Sequence, residues 1–461
     1  MSADLAQLIA SAQASRSPHQ ALQLARQAAP GPMRAAALHE IGKLFGRRLM
    51  YAEAAAAFAE AATNSPADPA QWLSIGRSLS LGDRPAAAMH ALQQAEHLLP
   101  TGAPLLPELL ATKCRALLKL RRVEQAEAAA LQGLALAPGD PNLREALSAV
   151  RFAVGDWRAA LELADEVLQR MPEAAALRKT LCDLPAWRGQ RVRRLVLHGT
   201  QGLGDEVRAV SMLAEAAQRV QHVVLECDPR LHRLFARSFP GVEVRGTRGQ
   251  AVKPWAQSRR FDAMASAEWL APIFGRTYAG TPYLTPDPAA RRRWRAEFDR
   301  LQRPVVGIAW TGGGPQSGEA ARTIGLATLA PLIRSTRATF VSLQYRDAAA
   351  EIAATGLPVI QYPTATLAPD YDQTAALVAE LDAILGPPTS VHHLAVALGK
   401  ATTVLVPSVP TLDTTVGDCS RWFPTQRYHR QRDGETWAQC VARLDMAAVL
   451  ANGREAQAVA A

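Results

Sequence analysis

The sequence predicts an α + α/β chain, a stack of helical hairpins followed by two doubly wound parallel-sheet domains. Three observations predict it. One spacing recurs through the N-terminal part of the chain, the texture changes after Pro172, and short β-rich runs then alternate with helical stretches. The boundaries that follow are 1–184 for the repeat, 185–290 for the first sheet-bearing domain and 291–461 for the second.

A fixed period is weighed first because missing one misreads the whole fold. Gly42 recurs as Gly76, a spacing of 34 (76 − 42). Leu38 and Trp72, Ile41 and Ile75, Ala54 and Ala88, and Pro66 and Pro100 repeat that spacing. The next unit is displaced by four, as Ala88 to Ala126 and Pro100 to Pro138 show. The original spacing returns from Ala126 to Ala160 and from Pro138 to Pro172. The extra residues fall in PTGAPLLPE, a loop-like insertion. Each unit reads as a helical hairpin. A Gly or small residue beside a bulky one on the first helix lets the second approach closely. Ala54, Phe58 and Ala61 share one face at i, i+4 and i+7, and a proline ends each unit. The opening stretch MSADLAQLIASAQASRSPHQ reads as a polar-punctuated helix start rather than a signal peptide.

After Pro172 a polar linker, DLPAWRGQRVRR, leads into strand-like runs. These are RLVLH (194–198), HVVLEC (222–227), VVGIAW (305–310), TFVSLQ (339–344), LPVIQY (357–362), AILG (383–386) and TTVLVP (402–407). Helical stretches are expected at 205–220, 288–301, 373–380 and 389–399. Strands alternating with helices mean parallel sheets covered on both faces. Two such blocks, separated by TPDPAARRRWRAEFDRLQRP, are expected to face a common cleft, with ligand at the carboxyl ends of the strands.

Composition narrows the function. The net charge is +9, from 51 basic and 42 acidic residues, and the arginines are dispersed. Such a balance suits anionic ligands, nucleotides and polyanions alike, or serves only solubility. No basic stretch is interleaved with aromatics, which argues against a nucleic-acid partner. The five cysteines lie far apart, so neither a zinc site nor a disulfide framework is suggested. Reduced thiols in a cytoplasm are the simplest account. No apolar run approaches the roughly 20 residues that span a bilayer.

The stretch HGTQGLGDE (198–206) runs from the end of the first expected strand into a helix. Gly199, Gly202 and Gly204 match neither G-x-G-x-x-G nor a P-loop. Asp205, at the start of the helix, occupies the positive helix end itself and repels a phosphate there. A carboxylate at the floor of an interdomain cleft reads as a base, or as a group that orients a hydroxyl. An acid interacting only with its own helix dipole is the plainer alternative.

Several segments together resemble one family. LPAWRGQRVRRLVLHGTQGLGDEV, FDAMASAEWLAPIFG, PYL, VVGIAWTGG, RTIGL, FVSLQ, YDQTAALVAELDAIL and TSVHHLAVALGK occur in the order seen in heptosyltransferase-like glycosyltransferases of family 9. More closely, the chain resembles bacterial proteins that join tetratricopeptide (TPR) repeats to such a domain. The resemblance covers 185–445 and implies a GT-B fold of two Rossmann-like domains. The acceptor would lie on the first domain and a nucleotide sugar on the second. Transfer would invert the anomeric centre and use no essential metal or other cofactor. The repeats imply a protein partner on a concave face, with a structural spacer or a dimer interface as the plainer alternative.

Residue by residue, Asp205 falls on the acid of the GLGD motif, which implies a general base for the acceptor hydroxyl. In the motif D-T…A-H-L-A, Thr389, His393, Leu394 and Gly399 match, but Pro388 stands where the acid is expected. That loss removes negative charge beside a phosphate site. The hydroxyls and N–H groups of Thr389 and Ser390 are expected to suit a donor phosphate. A donor carrying its own carboxylate fits such a site, pointing to a CMP-linked nonulosonic acid such as pseudaminic or legionaminic acid. Repeat-bearing transferases of this type modify flagellin in some bacteria, which makes Ser or Thr of flagellin the preferred acceptor.

The remaining candidates each carry a plainer reading beside the functional one. Thr311, Gly312 and Gly313 resemble the loop that approaches donor phosphates, or form only a turn. Arg322 neutralises a phosphate, or makes a surface salt bridge. Gln344 reads the base or ribose, or ends a capped turn. His393, four residues after Thr389, faces the donor, or is structural. His198 lines the acceptor side, and Gly202 and Gly204 let the backbone approach a substrate. The pair Asp370 and Asp372 forms a D-x-D, but Asp372 is expected as a helix N-cap rather than a metal ligand. Two rival functions stay open: a transferase acting on lipopolysaccharide or another glycan, with the repeats serving assembly, and a non-catalytic repeat adaptor.

Overall fold

The computed structural model describes residues 18–100, 102–170, 175, 177, 179–181, 184–199, 202–257, 261–275, 280–313, 319–410, 414 and 416–452. The expected helix start at the N-terminus, up to residue 17, and the repeat proline Pro172 lie outside them. The chain forms two compact units, Met1–Val154 with Val409–Val416, and Gly155–Ser408 with Gly417–Ala461.

The first unit is built of helical hairpins. Pro32–Arg47 pairs with Tyr51–Asn64, Pro69–Leu81 with Pro85–Leu98, and Leu106–Lys119 with Val123–Leu136. The small-residue rule read from the period holds at atomic detail. A Cβ on Gly42 would stand 2.6 Å from the Phe58 ring, and one on Gly76 would stand 2.7 Å from Leu92. Phe58 and Leu92 occupy the same register of successive units. In the third hairpin, after the displacement, Cys114 holds the glycine register and Ala130 the Phe58/Leu92 register. A larger residue on one helix is matched by a smaller one on its neighbour, as close packing requires. The turn inside each hairpin is also periodic. Leu49, Asp83 and Arg121 take φ of 61°, 56° and 60°, and Gly155, next in register, takes 84°. The chain therefore places a left-handed residue at one position of every unit, whatever its side chain.

The second unit holds two sheets. Strands β1 (Arg194–His198), β2 (His222–Glu226), β3 (Glu243–Arg245) and β4 (Ala263–Ser266) form a parallel sheet in the order β3-β2-β1-β4. Strands β5 (Val305–Ile308), β6 (Thr339–Ser342), β7 (Val359–Ile360), β8 (Ala383–Gly386), β9 (Thr402–Val406) and β10 (Gln426–Arg430) form the other. Its order is β10-β9-β8-β5-β6-β7, again parallel throughout. Every residue of β4, β5, β8 and β9 is buried, the pattern of strands covered on both faces. Each of the seven expected runs contains a strand. β3, β4 and β10 were not expected, and their sequences explain why: EVR is too short, AMAS lacks a β-branched residue, and QRYHR is a polar edge strand.

Strand order fixes where a site can form. Each chain segment runs outward from its first strand, then returns to lay the fourth on that strand's other side. The direction of winding reverses between β1 and β4, and again between β5 and β8. At such switch points the loops diverge and leave a crevice beyond the carboxyl ends of the strands. One hydrophobic core runs through both sheets, including Leu195 and Leu197 of β1, Val305 of β5 and Ile384 of β8. Among the described residues, no helix is long and apolar enough to cross a membrane.

Candidate active site

The loop after β1 opens the helix Leu203–Ala209, whose N-cap is Gly202. Asp205 is the third residue of that helix, and its Oδ2 accepts the Gly202 N–H at 3.1 Å. Its Oδ1 lies 3.4 Å from Nη2 of Arg208, one helical turn on, and the Asp205 side chain is 27% exposed. Asp205 thus caps its own helix and still presents a solvent-facing carboxylate. The adjoining Arg208 is buried, lies 3.6 Å from Glu268 Oε1, and sits over the Trp422 ring. His198, at the buried end of β1, stands in register with Glu226 of β2 and Ser266 of β4.

The next acid, Glu206, is the residue the sequence reading passed over. It is 1% exposed. Its carboxylate pairs with Arg248 and accepts the Asp228 N–H at 2.9 Å. Burial pushes its carboxyl up to about 7, with the Arg248 charge opposing that rise. Beside it, Lys253 and Glu226 form a buried ion pair that Thr247 joins through a 2.8 Å hydrogen bond to Glu226. A continuous polar layer therefore underlies the GLGD loop. The only signal in the sequence was a second acid directly after Asp205. Its partners Asp228 and Arg248 lie beyond the next strand, too far along the chain for any local pattern to show them.

The second sheet gathers its candidates at one edge. The loops after β5, β6 and β8 are neighbours because those strands are adjacent in the order β8-β5-β6. Thr311 is buried, and its Oγ1 accepts from Gln344 Nε2 at 2.6 Å. Gln344 is fully buried, so its side chain braces the loop from within. A Cβ on Gly312 would stand 2.9 Å from both the Pro388 oxygen and the Thr389 methyl carbon, so only glycine fits there. Gly313 takes φ of 80°, and its carbonyl accepts from the Tyr345 hydroxyl at 2.9 Å. Arg322 Nη1 donates to the Pro388 carbonyl at 3.2 Å. The guanidinium therefore lies beside Pro388.

Thr389 is the N-cap residue of the helix Ser390–Ala397, without a side-chain capping bond. Its Oγ1 is 3.3 Å from His392 Nδ1, and burial pushes that histidine down to about 3, keeping it neutral. Ser390 Oγ lies 2.9 Å from the hydroxyl of half-buried Tyr371, a phenol that desolvation pushes up to about 12. Both hydroxyls expected at a donor phosphate therefore already have partners within the protein.

The two edges meet through their helices. Leu203–Ala209 packs on Ser390–Ala397. His393 Nδ1 is 2.9 Å from the Gly204 carbonyl, and a Cβ on Gly204 would stand 3.1 Å from Ser390 Cα. The structure thus brings Gly202, Gly204, Asp205, Ser390 and His393 together, and connects them through Thr389 to Gly312, Thr311, Gln344 and Arg322.

The D-x-D differs from expectation. Tyr371, not Asp372, is the N-cap residue of the helix Asp372–Val378. The Asp372 carboxylate instead takes two bonds from Arg237, at 2.7 and 2.6 Å, while Asp370 pairs with Arg233 at 3.3 Å. A fork-shaped guanidinium matches a carboxylate better than a backbone N–H does. Among the described residues, no group of three or more His, Cys, Asp or Glu side chains is arranged to hold a metal ion.

No family model matches the chain. Protein FlbA of Caulobacter vibrioides is 29% identical over 281 residues, covering 56% of this chain. The match spans about half, 47%, of that protein's own length. Among solved structures, the E. coli ADP-heptose lps heptosyltransferase II is 14% identical, covers 57% of this chain and 98% of its own, and has a TM-score of 0.38. A Thermobaculum terrenum O-GlcNAc transferase mutant is 13% identical, covers 92% of each chain, and has a TM-score of 0.34. A Thermus thermophilus TPR protein is 19% identical, covers 38% of this chain and 94% of its own, and has a TM-score of 0.30.

Proposed function

We propose that this chain is an inverting glycosyltransferase that moves a sugar from a nucleotide donor to a hydroxyl of a protein acceptor. One observation carries the reading. The crevices at the β1/β4 and β5/β8 switch points are joined through paired helices, so the helix that carries Asp205 packs on the helix that follows β8. Two reactants held in such neighbouring crevices react as if in one molecule.

In this reading Asp205 takes the proton of the acceptor hydroxyl as the hydroxyl oxygen attacks the anomeric carbon. The bond to the nucleotide phosphate breaks, and the released phosphate carries the electron pair. Arg322 and the Thr311–Gly313 loop steady that developing charge. The backbone N–H groups at the start of Ser390–Ala397 contribute donors, since the Thr389 and Ser390 hydroxyls are engaged elsewhere. His198 lines the acceptor side. Pro388 in place of an acid, with Arg322 beside it, leaves a site that favours a donor with a carboxylate of its own. A CMP-linked nonulosonic acid, pseudaminic or legionaminic, meets that requirement. Ser or Thr of flagellin, captured by the repeats, is the proposed acceptor, and the cytoplasm the proposed compartment.

A direct test is incubation of the purified chain with flagellin and each activated sugar in turn, read by intact mass. Addition of a nonulosonic acid supports the full reading. Addition only from an ADP-, UDP- or dTDP-sugar keeps the transferase and removes the donor. Transfer to a purified glycan but not to flagellin favours the lipopolysaccharide-type rival, and no turnover with any donor favours a repeat-based adaptor.

A further inference from the structure

We infer that His393 is a positioning residue whose Nδ1–H, given to the Gly204 carbonyl, fixes the peptide that carries Asp205. A carbonyl only accepts, so the 2.9 Å contact puts the proton on Nδ1. The Gly204 carbonyl and the Asp205 nitrogen belong to one planar peptide group. Holding that oxygen therefore sets the direction in which Asp205 leaves the backbone.

The surroundings are built for this contact. Gly204 has no Cβ, and one there would stand 3.0 Å from His393 Nδ1 and 3.1 Å from Ser390 Cα. The Phe423 ring lies against the imidazole, with centroids 5.5 Å apart. Ser390 is itself held by Tyr371. On the other side, Asp205 bonds the Gly202 N–H, so the loop is tied at the two residues flanking Leu203. His393 thus acts through the backbone of the opposite lobe. The catalytic consequence rests on the transferase reading, whereas the contact itself does not.

The test compares His393→Asn, His393→Gln and His393→Leu in the full chain. The Asn amide sits as far from the backbone as Nδ1 does, and the Gln amide reaches one carbon further. Hydrogen exchange of the Leu203–Ala209 amides is read first. Leu and Gln variants should exchange about tenfold faster than wild type, and Asn should restore protection. Where transfer is measured, kcat should fall about tenfold or more in Leu and Gln with donor KM nearly unchanged, and recover in Asn. Wild-type exchange in the Leu variant, or rescue by Gln rather than Asn, would overturn the proposal. Should His393→Leu fail to fold, Gly204→Ala breaks the same contact from the other side and must show the same faster exchange. If wild type transfers no sugar, the exchange data still decide the contact, and that failure falls on the function alone.

Discussion

Gly199 lies directly against Glu206: a Cβ at position 199 would stand 2.5 Å from the Glu206 Oε1. The first glycine of the loop therefore leaves room for a buried acid. That acid also governs pH. Its carboxyl titrates near pH 7 when folded, against 4.5 for the free group. Between those values the folded chain holds the extra proton, so stability falls as pH rises from about 4.5 to about 7 and levels off above. The span is on the order of 3 kcal/mol. Urea unfolding at stepped pH should show this slope, and Glu206→Gln should remove it. An equal slope in both proteins would contradict the assignment.

The hairpin turns should gain from glycine. Arg121 sits at φ 60° and Leu49 at φ 61°, a conformation costly to a side chain. Arg121→Gly and Leu49→Gly should each stabilise the first unit by about 1 kcal/mol, read as slower local hydrogen exchange. Faster exchange would show that the side chains hold those turns.

The volume exchange between hairpins can be transplanted. Gly76→Cys alone should cost about 1–3 kcal/mol, because it meets Leu92. Leu92→Ala alone should cost about 2–5 kcal/mol. The double variant copies Cys114 and Ala130 and should lose less than the sum by at least about 1 kcal/mol. Simple additivity would sink the complementarity argument.

Arg237→Ala should destabilise the second unit by about 2 kcal/mol, because it strands the largely buried Asp372 carboxylate. Adding divalent metal should not restore the loss. Recovery with Mg²⁺ or Mn²⁺ would return the D-x-D to a metal role.

How far the sequence could be read follows from the range of each interaction. The repeat period and the alternating strands are local or strictly recurrent, so the hairpins, seven of the ten strands and the loop after β1 were legible. The left-handed turn was not, because Leu49, Asp83 and Arg121 share a backbone conformation and no side-chain property. Asp205 and the loops after β5 and β8 were found through motifs. Glu206, Arg248, Glu226 and Lys253 form their layer only once the strands align. The Asp205–Arg208 pair, on adjacent turns of one helix, was local enough to have been seen. The contact of His393 with Gly204 joins distant parts of the chain and needed the packed helices.

The most direct measurement is the single-turnover rate of sugar transfer by Asp205→Asn, beside wild type at saturating donor. Asparagine keeps an oxygen for the Gly202 N–H, so the helix start survives, but it cannot take a proton. The expected result is a fall of about 10²–10⁴-fold with donor affinity unchanged. A rate within a few-fold of wild type would contradict the assignment of Asp205 as the base.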